Sequence, residues 1–254
     1  MLAYIDYLIF RFQYFLKRGR GRPEHELAIR RLYGERVGLK RIKREKHFSV
    51  LSYEHDGAFD YDLYKRVQTK GNKGKIGQVF VRDDNIRHLC RKLEARIPSI
   101  DFVLCHGTRN AAEQKYFQAA LSKPATILGT EISDTAAQYP MTIEWDFHET
   151  KPEWIGAADV VYSNSWDHSY DPRKLFAAWL SCLRPHGIMV LEWTHLHGGR
   201  ANPSILDPLN VPLEGLVPLL DEFCSDGRFK LVEIADDLPV RNVNQTFVLV
   251  QRIT

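Results

Sequence analysis

Beyond Pro98 the chain alternates short apolar runs with helix-forming stretches, and that alternation confines it to few folds. Residues 101–105, 125–128, 141–145, 158–162 and 187–193 read as strands, and residues 229–234 and 246–250 give two more. Residues 111–121 and 172–183 read as helices between them. Strands that alternate with helices at this spacing predict an α/β, doubly wound, mostly parallel sheet. A chain of 254 residues with 44% hydrophobic content can fill one such core and an accessory region beside it.

The first 98 residues have a different texture and are expected to form that accessory region, with residues 99–254 as the main domain. Residues 22–46 predict a helix marked by Leu27, Leu32 and Val37 among charges. Residues 47–53, 59–69 and 76–81 are aromatic and β-branched, and the Gly71-Asn72-Lys73-Gly74 run between the last two predicts a β-hairpin. Asp83 or Asp84 is expected to cap a helix carrying Ile86, Leu89, Cys90, Leu93 and Ile97 on one face.

Residues 1–16 are apolar but interrupted by Asp6, Arg11 and Gln13. They are shorter than the roughly 20 residues a spanning helix needs and lack a leading basic region. An amphipathic helix is expected, packed on the protein, on a homodimer partner or at a membrane surface, and no transmembrane segment. Residues 17–46 carry twelve Lys or Arg against four Glu, a net of +8 in a chain of net +3. Such a block suits an anionic surface: lipid headgroup, acidic glycan or nucleic acid. The four cysteines stand far apart without a CxxC pair, which points to a reducing, cytoplasmic setting.

In an open α/β sheet, ligands bind beyond the carboxyl ends of the strands where strand order reverses. The first strand leaves through Cys105, His106, Gly107, Thr108, Arg109 and Asn110 into a helix. This stretch resembles a shortened glycine-rich first motif of the class I, Rossmann-like, S-adenosylmethionine-dependent methyltransferases. Glu131, twenty-four positions after Gly107, matches the acid that holds the cofactor ribose in that family, with Ile132 beside it. Asp146 and Phe147 resemble the third-strand motif around the adenine. Residues 159–168, with Ser163 and Asn164 on the cofactor side, resemble the fourth-strand segment, and residues 180–192 the helix-turn-strand that follows. The resemblance spans residues 99–254, and implies a seven-stranded sheet and S-adenosyl-L-methionine as cofactor. One departure stands out: the family's loop has two or three glycines, and here only Gly107 remains, with Arg109 and Asn110 in place of small residues.

Methyl transfer to a hydroxyl needs an oriented acceptor and a base. His168, beside Asp167, follows the fourth strand, and His195 follows the fifth; these are the catalytic candidates, with His168 first. Gln68, Lys70 and Asn72 of the expected hairpin, together with Trp166, are the candidate acceptor contacts. His195 and His197 lack a nearby acidic pair, so no metal is expected. The resemblance implies a methyltransferase, with a hydroxyl of a sugar, glycan or other small polar molecule as the leading acceptor. Methylation of nucleic acid and a non-catalytic scaffold with a degenerate pocket are the alternatives.

Overall fold

The computed structural model describes residues 24–37, 41–198, 202–240 and 245–254. The amphipathic helix expected over residues 1–16 lies outside the described residues, as do residues 17–23 and 38–40 of the basic block. The main sheet contains β1 (Phe102–His106), β2 (Thr126–Glu131), β3 (Thr142–Glu144), β4 (Ala158–Ser163), β5 (Leu183–Trp193), β6 (Phe229–Ala235) and β7 (Thr246–Arg252). Its order is β6-β7-β5-β4-β1-β2-β3. Strands β1 to β5 are parallel, and β7 runs antiparallel between β5 and β6. This is the doubly wound, mostly parallel, seven-stranded sheet that the sequence predicts.

Among the described residues the longer helices are α1 (Glu24–Val37), α2 (Tyr61–Gly74), α3 (Asp83–Glu94), α4 (Ala112–Ala120), α5 (Pro172–Cys182) and α6 (Leu213–Cys224). Side chains alternate across each strand. Val103 and Cys105 of β1 therefore join the cluster that contains residues of α3 and α4, while Leu104 joins the one built with α5 and α6. At Gly187 of β5 an added Cβ would meet the Ala158 carbonyl oxygen at 2.7 Å, so the close pairing of β4 and β5 there requires glycine.

The accessory layer differs from expectation in four places. Residues 61–74 form helix α2, not one arm of a hairpin. Asp60 caps it, accepting from the Leu63 amide at 2.9 Å. Its buried residues, Leu63, Tyr64, Val67, Gln68, Gly71 and Asn72, repeat at helical spacing and override the aromatic and β-branched composition. A small hairpin does exist one element earlier, pairing Glu54–His55 with Ala58–Phe59 through Asp56 and Gly57, both at positive φ. Residues 76–81 are not a strand either: the Asn110 side chain donates to the carbonyls of Ile76 (2.9 Å) and Gln78 (3.1 Å), taking the place of a ladder.

The helix expected over residues 22–46 is described over Glu24–Val37, and within the expected span Ile42–Arg44 instead pairs with Ser49–Leu51. Neither Asp83 nor Asp84 caps α3; Arg82 holds the cap position and both acids sit in the first turn, where the helix dipole favours them.

Residues from beyond position 99 complete this layer. Leu209–Asn210 pairs with Ser49–Leu51, and Ile205 packs with Ile29, Tyr33, Tyr53, Leu63 and Val67. Helix α2 lies across the exits of β2 and β3, held by Lys65 on Glu144 (2.8 Å) and Lys73 on Asp134 (2.8 Å). Among the described residues no helix is long and apolar enough to cross a membrane.

Candidate functional site

Strand order reverses between β1 and β4, because α4 follows β1 onto one face and α5 follows β4 onto the other. Their carboxyl ends are thus left as a crevice. Two adjoining cavities open there, with Lys75, Gly107, Arg109, Ser165 and His168 common to both walls. The one nearer β2 and β3, here the inner, holds about 540 Å³ of atom-free space, and the other, the outer, about 1140 Å³.

The turn after β1 behaves as a glycine loop although it has one glycine. Gly107 has φ +73°, and a Cβ there would come within 2.9 Å of Ser165 Cβ. Arg109 (φ 42°) and Ala111 (φ 61°) also adopt the left-handed region, at a cost of roughly 1–2 kcal/mol each. The turn is held by its amides: Gly107 and Thr108 donate to the Thr130 carbonyl at 2.9 and 3.1 Å, and Arg109 donates to Glu131 Oε2 at 3.0 Å. Arg109 Nη1 reaches the Gln78 carbonyl at 3.4 Å, and its guanidinium lies over Phe80 at 5.0 Å. With Asn110 it fastens residues 76–80 beside the outer cavity. The side chains that replaced glycines thus have a structural task.

Glu131 ends β2 and is 6% exposed. The Ser133 amide donates to its Oε1 at 3.1 Å. Burial pushes its carboxyl above the usual range, while the Ser133 and Arg109 amides and the Arg109 charge oppose that push. A carboxylate offers about four acceptor positions. The Ser133 and Arg109 amides fill two, the Ile132 amide also lies against the carboxylate, and Glu131 lines the inner cavity. Ile132, Trp145 and Phe147 supply flat and apolar walls, and Tyr64, Gln68 and Asn72 of α2 close the opposite side.

Asp146 lies between Trp145 and Phe147 but does not border either cavity. Its Oδ1 accepts from the His148 amide (3.0 Å) and pairs with His148 Nδ1 (2.8 Å), and the Tyr61 hydroxyl lies beside it. His148 Nε2 contacts Ser169 Oγ at 2.8 Å. These are the residue types of a hydrolytic triad. Ser169, however, is fully buried and accepts from the Asp171 amide, so the chain braces the exits of β3 and β4.

Cys105, His106 and Ser163 are buried beneath the loop rather than exposed in it. His106 stacks on Trp179 at 4.7 Å and meets Thr130 Oγ1 at 2.8 Å, and burial pushes its pKa down to about 3, so the ring is neutral. Ser163 Oγ donates to the His106 carbonyl at 2.9 Å and accepts from the Ser165 amide at 3.0 Å, tying β4 to β1. Trp166 is fully buried and donates to the Glu192 carbonyl; it is core, not wall. Lys70 and His195 are exposed and border neither cavity.

The outer cavity is bordered by Thr108, Arg109, Asn164, Asp167 and His168 as expected, by His197, which the sequence reading weighed only beside His195, and by three groups that it passed over: Glu113, Glu192 and Asp207. Burial pushes Glu113 up to about 8 and Glu192 up to about 7. Glu192 accepts from Tyr162 and Gln245, whereas Glu113 Oε2 has no partner. His197 Nδ1 accepts from the Thr194 amide at 3.0 Å, which leaves the proton on Nε2, 3.8 Å from Asp167. Glu192 was findable as a lone acid ending an apolar strand. Asp207 had no local signal, because only the fold returns residues 202–207 to the crevice. Among the described residues no group of three or more His, Cys, Asp or Glu is placed to hold a metal ion.

A seven-stranded sheet in this order, with one antiparallel strand beside the edge, defines the class: this is the fold of the class I methyltransferases. The chain is similar to the Burkholderia thailandensis 1,6-didemethyltoxoflavin-N1-methyltransferase, whose crystal structure has 1,6-didemethyltoxoflavin and S-adenosylhomocysteine bound. The TM-score is 0.56 at 13% identity, covering 84% of this chain and 100% of that one. It is also similar to the plantazolicin methyltransferase BpumL in complex with SAH, with a TM-score of 0.55 at 13% identity over 77% of this chain and 91% of that one. No protein-family model matches the chain, and no curated protein matches it.

Proposed function

We propose that this chain is an S-adenosyl-L-methionine-dependent methyltransferase acting on a hydroxyl of a sugar, glycan or other small polar acceptor. The observation that carries the reading is Glu131: a buried carboxylate at the exit of β2, fixed by two amides and lining a cavity walled by Trp145, Phe147 and Ile132. That arrangement suits a diol joined to a flat base, and the similar structures are of methyltransferases with S-adenosylhomocysteine or SAH bound. The cofactor supplies an electrophilic methyl group on a sulfonium. The chain's own work is to orient the acceptor, exclude water and take a proton.

His168 borders both cavities and is our candidate for that proton. Burial holds its pKa below the ordinary 6.5, so the ring is neutral at neutral pH and free to act as a base. Residues 1–98, completed by residues 202–210, act in this reading as an accessory cap over the domain of residues 99–254. The basic block of residues 17–46 is a docking element for an anionic surface; because Ile29 and Tyr33 are buried, a deletion that tests it has to stop before Glu24.

Calorimetric titration of the full chain with S-adenosylmethionine and S-adenosylhomocysteine tests the cofactor half, with saturable micromolar-range binding expected. A screen for methyl incorporation over sugars, glycans, nucleic acids and small amines tests the acceptor half. No binding of either nucleoside overturns the enzyme reading, and incorporation only into nucleic acid or amines overturns the hydroxyl assignment.

A further inference from the structure

One main-chain carbonyl in the loop after Ala201 determines where the proton sits on His168. The Tyr53 hydroxyl donates to the Ile205 carbonyl, so the Tyr53 oxygen is left as an acceptor. The Gln68 amide nitrogen donates to the Leu206 carbonyl at 3.2 Å, beside the Tyr53 hydroxyl. A carbonyl oxygen cannot donate, so the Leu206 carbonyl demands the NH₂ end of Gln68 and turns its Oε1 the other way. That Oε1 lies 2.8 Å from His168 Nδ1. Two acceptors cannot hydrogen-bond each other, so Nδ1 carries the hydrogen and Nε2 carries the lone pair. The nearest charged oxygen to Nε2, Asp207 Oδ1, is 3.8 Å away, beyond hydrogen-bond distance. Helix α2 also holds the main chain of His168, through Tyr64 Oη on its carbonyl at 3.1 Å.

We propose that Gln68 is a positioning residue that locks His168 in the Nδ1–H tautomer, presenting Nε2 as the proton-accepting atom of the crevice. This rests on the base role given to His168 above, and it assigns that role to one nitrogen. The proton leaving an acceptor hydroxyl goes to Nε2, while Nδ1–H stays on Gln68. The charged groups facing the ring are Asp167 and Asp207, which favour the resulting imidazolium, and Lys75 and Arg109, which oppose it. Its Coulombic neighbours thus come from the β4 exit, the returning loop, the end of α2 and the β1 turn. Gln68 alone reads the tautomer, because it is the only hydrogen-bond partner of the His168 ring among the described residues.

The experiment is ¹⁵N NMR of the His168 ring in the full chain, alongside the pH profile of turnover, for wild type, Gln68→Leu and Gln68→Glu. Wild type is expected as Nδ1–H. Gln68→Leu releases the tautomer toward Nε2–H and lowers kcat by about tenfold. Gln68→Glu keeps an acceptor against Nδ1–H; it retains the tautomer and moves the acid limb of the profile to higher pH, because a carboxylate favours the imidazolium. An Nε2–H tautomer in wild type, or an unchanged tautomer in Gln68→Leu, overturns the proposal. The wild-type spectrum decides even where a variant fails to fold. Should His168→Gln turn over like wild type, the base role falls, while the spectra still report whether Gln68 sets the tautomer.

Discussion

At the exit of β2 the Glu131 carboxylate accepts from two main-chain amides, whereas at the start of α4 the Glu113 carboxyl leaves one buried oxygen without a partner. Both side chains are 6% exposed. Burial raises both, but Glu131 is held toward its charged form by amides from its own turn, while Glu113 is pushed up to about 8. The two sides of the crevice therefore differ in how far they are prepared. The inner side is flat-walled, and its carboxylate is already hydrogen-bonded by main-chain amides. The outer side collects Glu113, Glu192, Asp167–His197 and Asp207–His168, the groups to which the proposed reading gives the proton.

If the outer side handles the proton, His168→Gln gives the largest effect. Glutamine keeps a hydrogen bond but takes no proton at neutral pH, so turnover falls by about 10²–10³-fold, with cofactor affinity unchanged. Wild-type turnover falls as pH drops below the depressed His168 pKa and is flat above it. Steady-state kinetics between pH 5 and 8 measure both, and an undiminished variant moves the search to Asp167 and His197.

If the inner side is prepared for a diol, Glu131→Ala weakens S-adenosylhomocysteine binding by about 1.5–3 kcal/mol in calorimetry. Because Glu131 also fixes the Arg109 amide, Glu131→Gln sharpens the reading. It keeps an acceptor for the turn and loses the charge, so intermediate affinity is expected, and equal losses from both substitutions place the whole effect on charge.

The contrast between the two carboxyls predicts a pH-dependent stability difference. A carboxyl whose folded pKa lies near 8 leaves stability intact below its ordinary value of 4.5 and removes it progressively as pH rises toward 8. Glu113→Gln is therefore neutral in urea unfolding near pH 4.5 and stabilising by about 1–3 kcal/mol at pH 8. A difference that does not change with pH means that Glu113 is charged in the folded protein. The smallest effect is expected at the turn between the two cavities. Ala111→Gly relieves a left-handed φ but removes a buried methyl, so its thermal stability stays within about 0.5 kcal/mol of wild type. An ordinary helical Ala→Gly costs about 1 kcal/mol.

Arg109 and Ala111 show how far the sequence can be read. Their residue types argue against a glycine loop, yet the backbone bends as one because amides on Thr130 and Glu131 compensate the strain. Gly107, Glu131, Ile132, Phe147, Asn164, Asp167 and His168 were named from the family resemblance and from their place at the strand exits, and all border the crevice. Asp146 and Trp166 were named by the same logic and lie turned into internal networks. Position along a strand exit is set by local chain direction, but which side chain faces the cavity depends on partners that are distant in sequence, such as Tyr61 for Asp146. In residues 61–74 an aromatic and β-branched composition and a glycine-asparagine turn were read over a helical repeat, and the Asp60 cap was the overlooked local signal.

By itself the sequence determined the doubly wound sheet and the crevice at the end of β1, which follow from apolar periodicity and from the right-handed crossovers that short strand–helix units impose. The candidates along the strand exits came from the motifs that resemble class I methyltransferases. Only the tertiary structure decided that α2 roofs the crevice, that Asp207 returns to it, and that Gln68, a hundred residues earlier in the chain, sets the proton on His168. Hydrogen-bond direction is a property of the whole network, and here it begins at a carbonyl that no local pattern places beside α2.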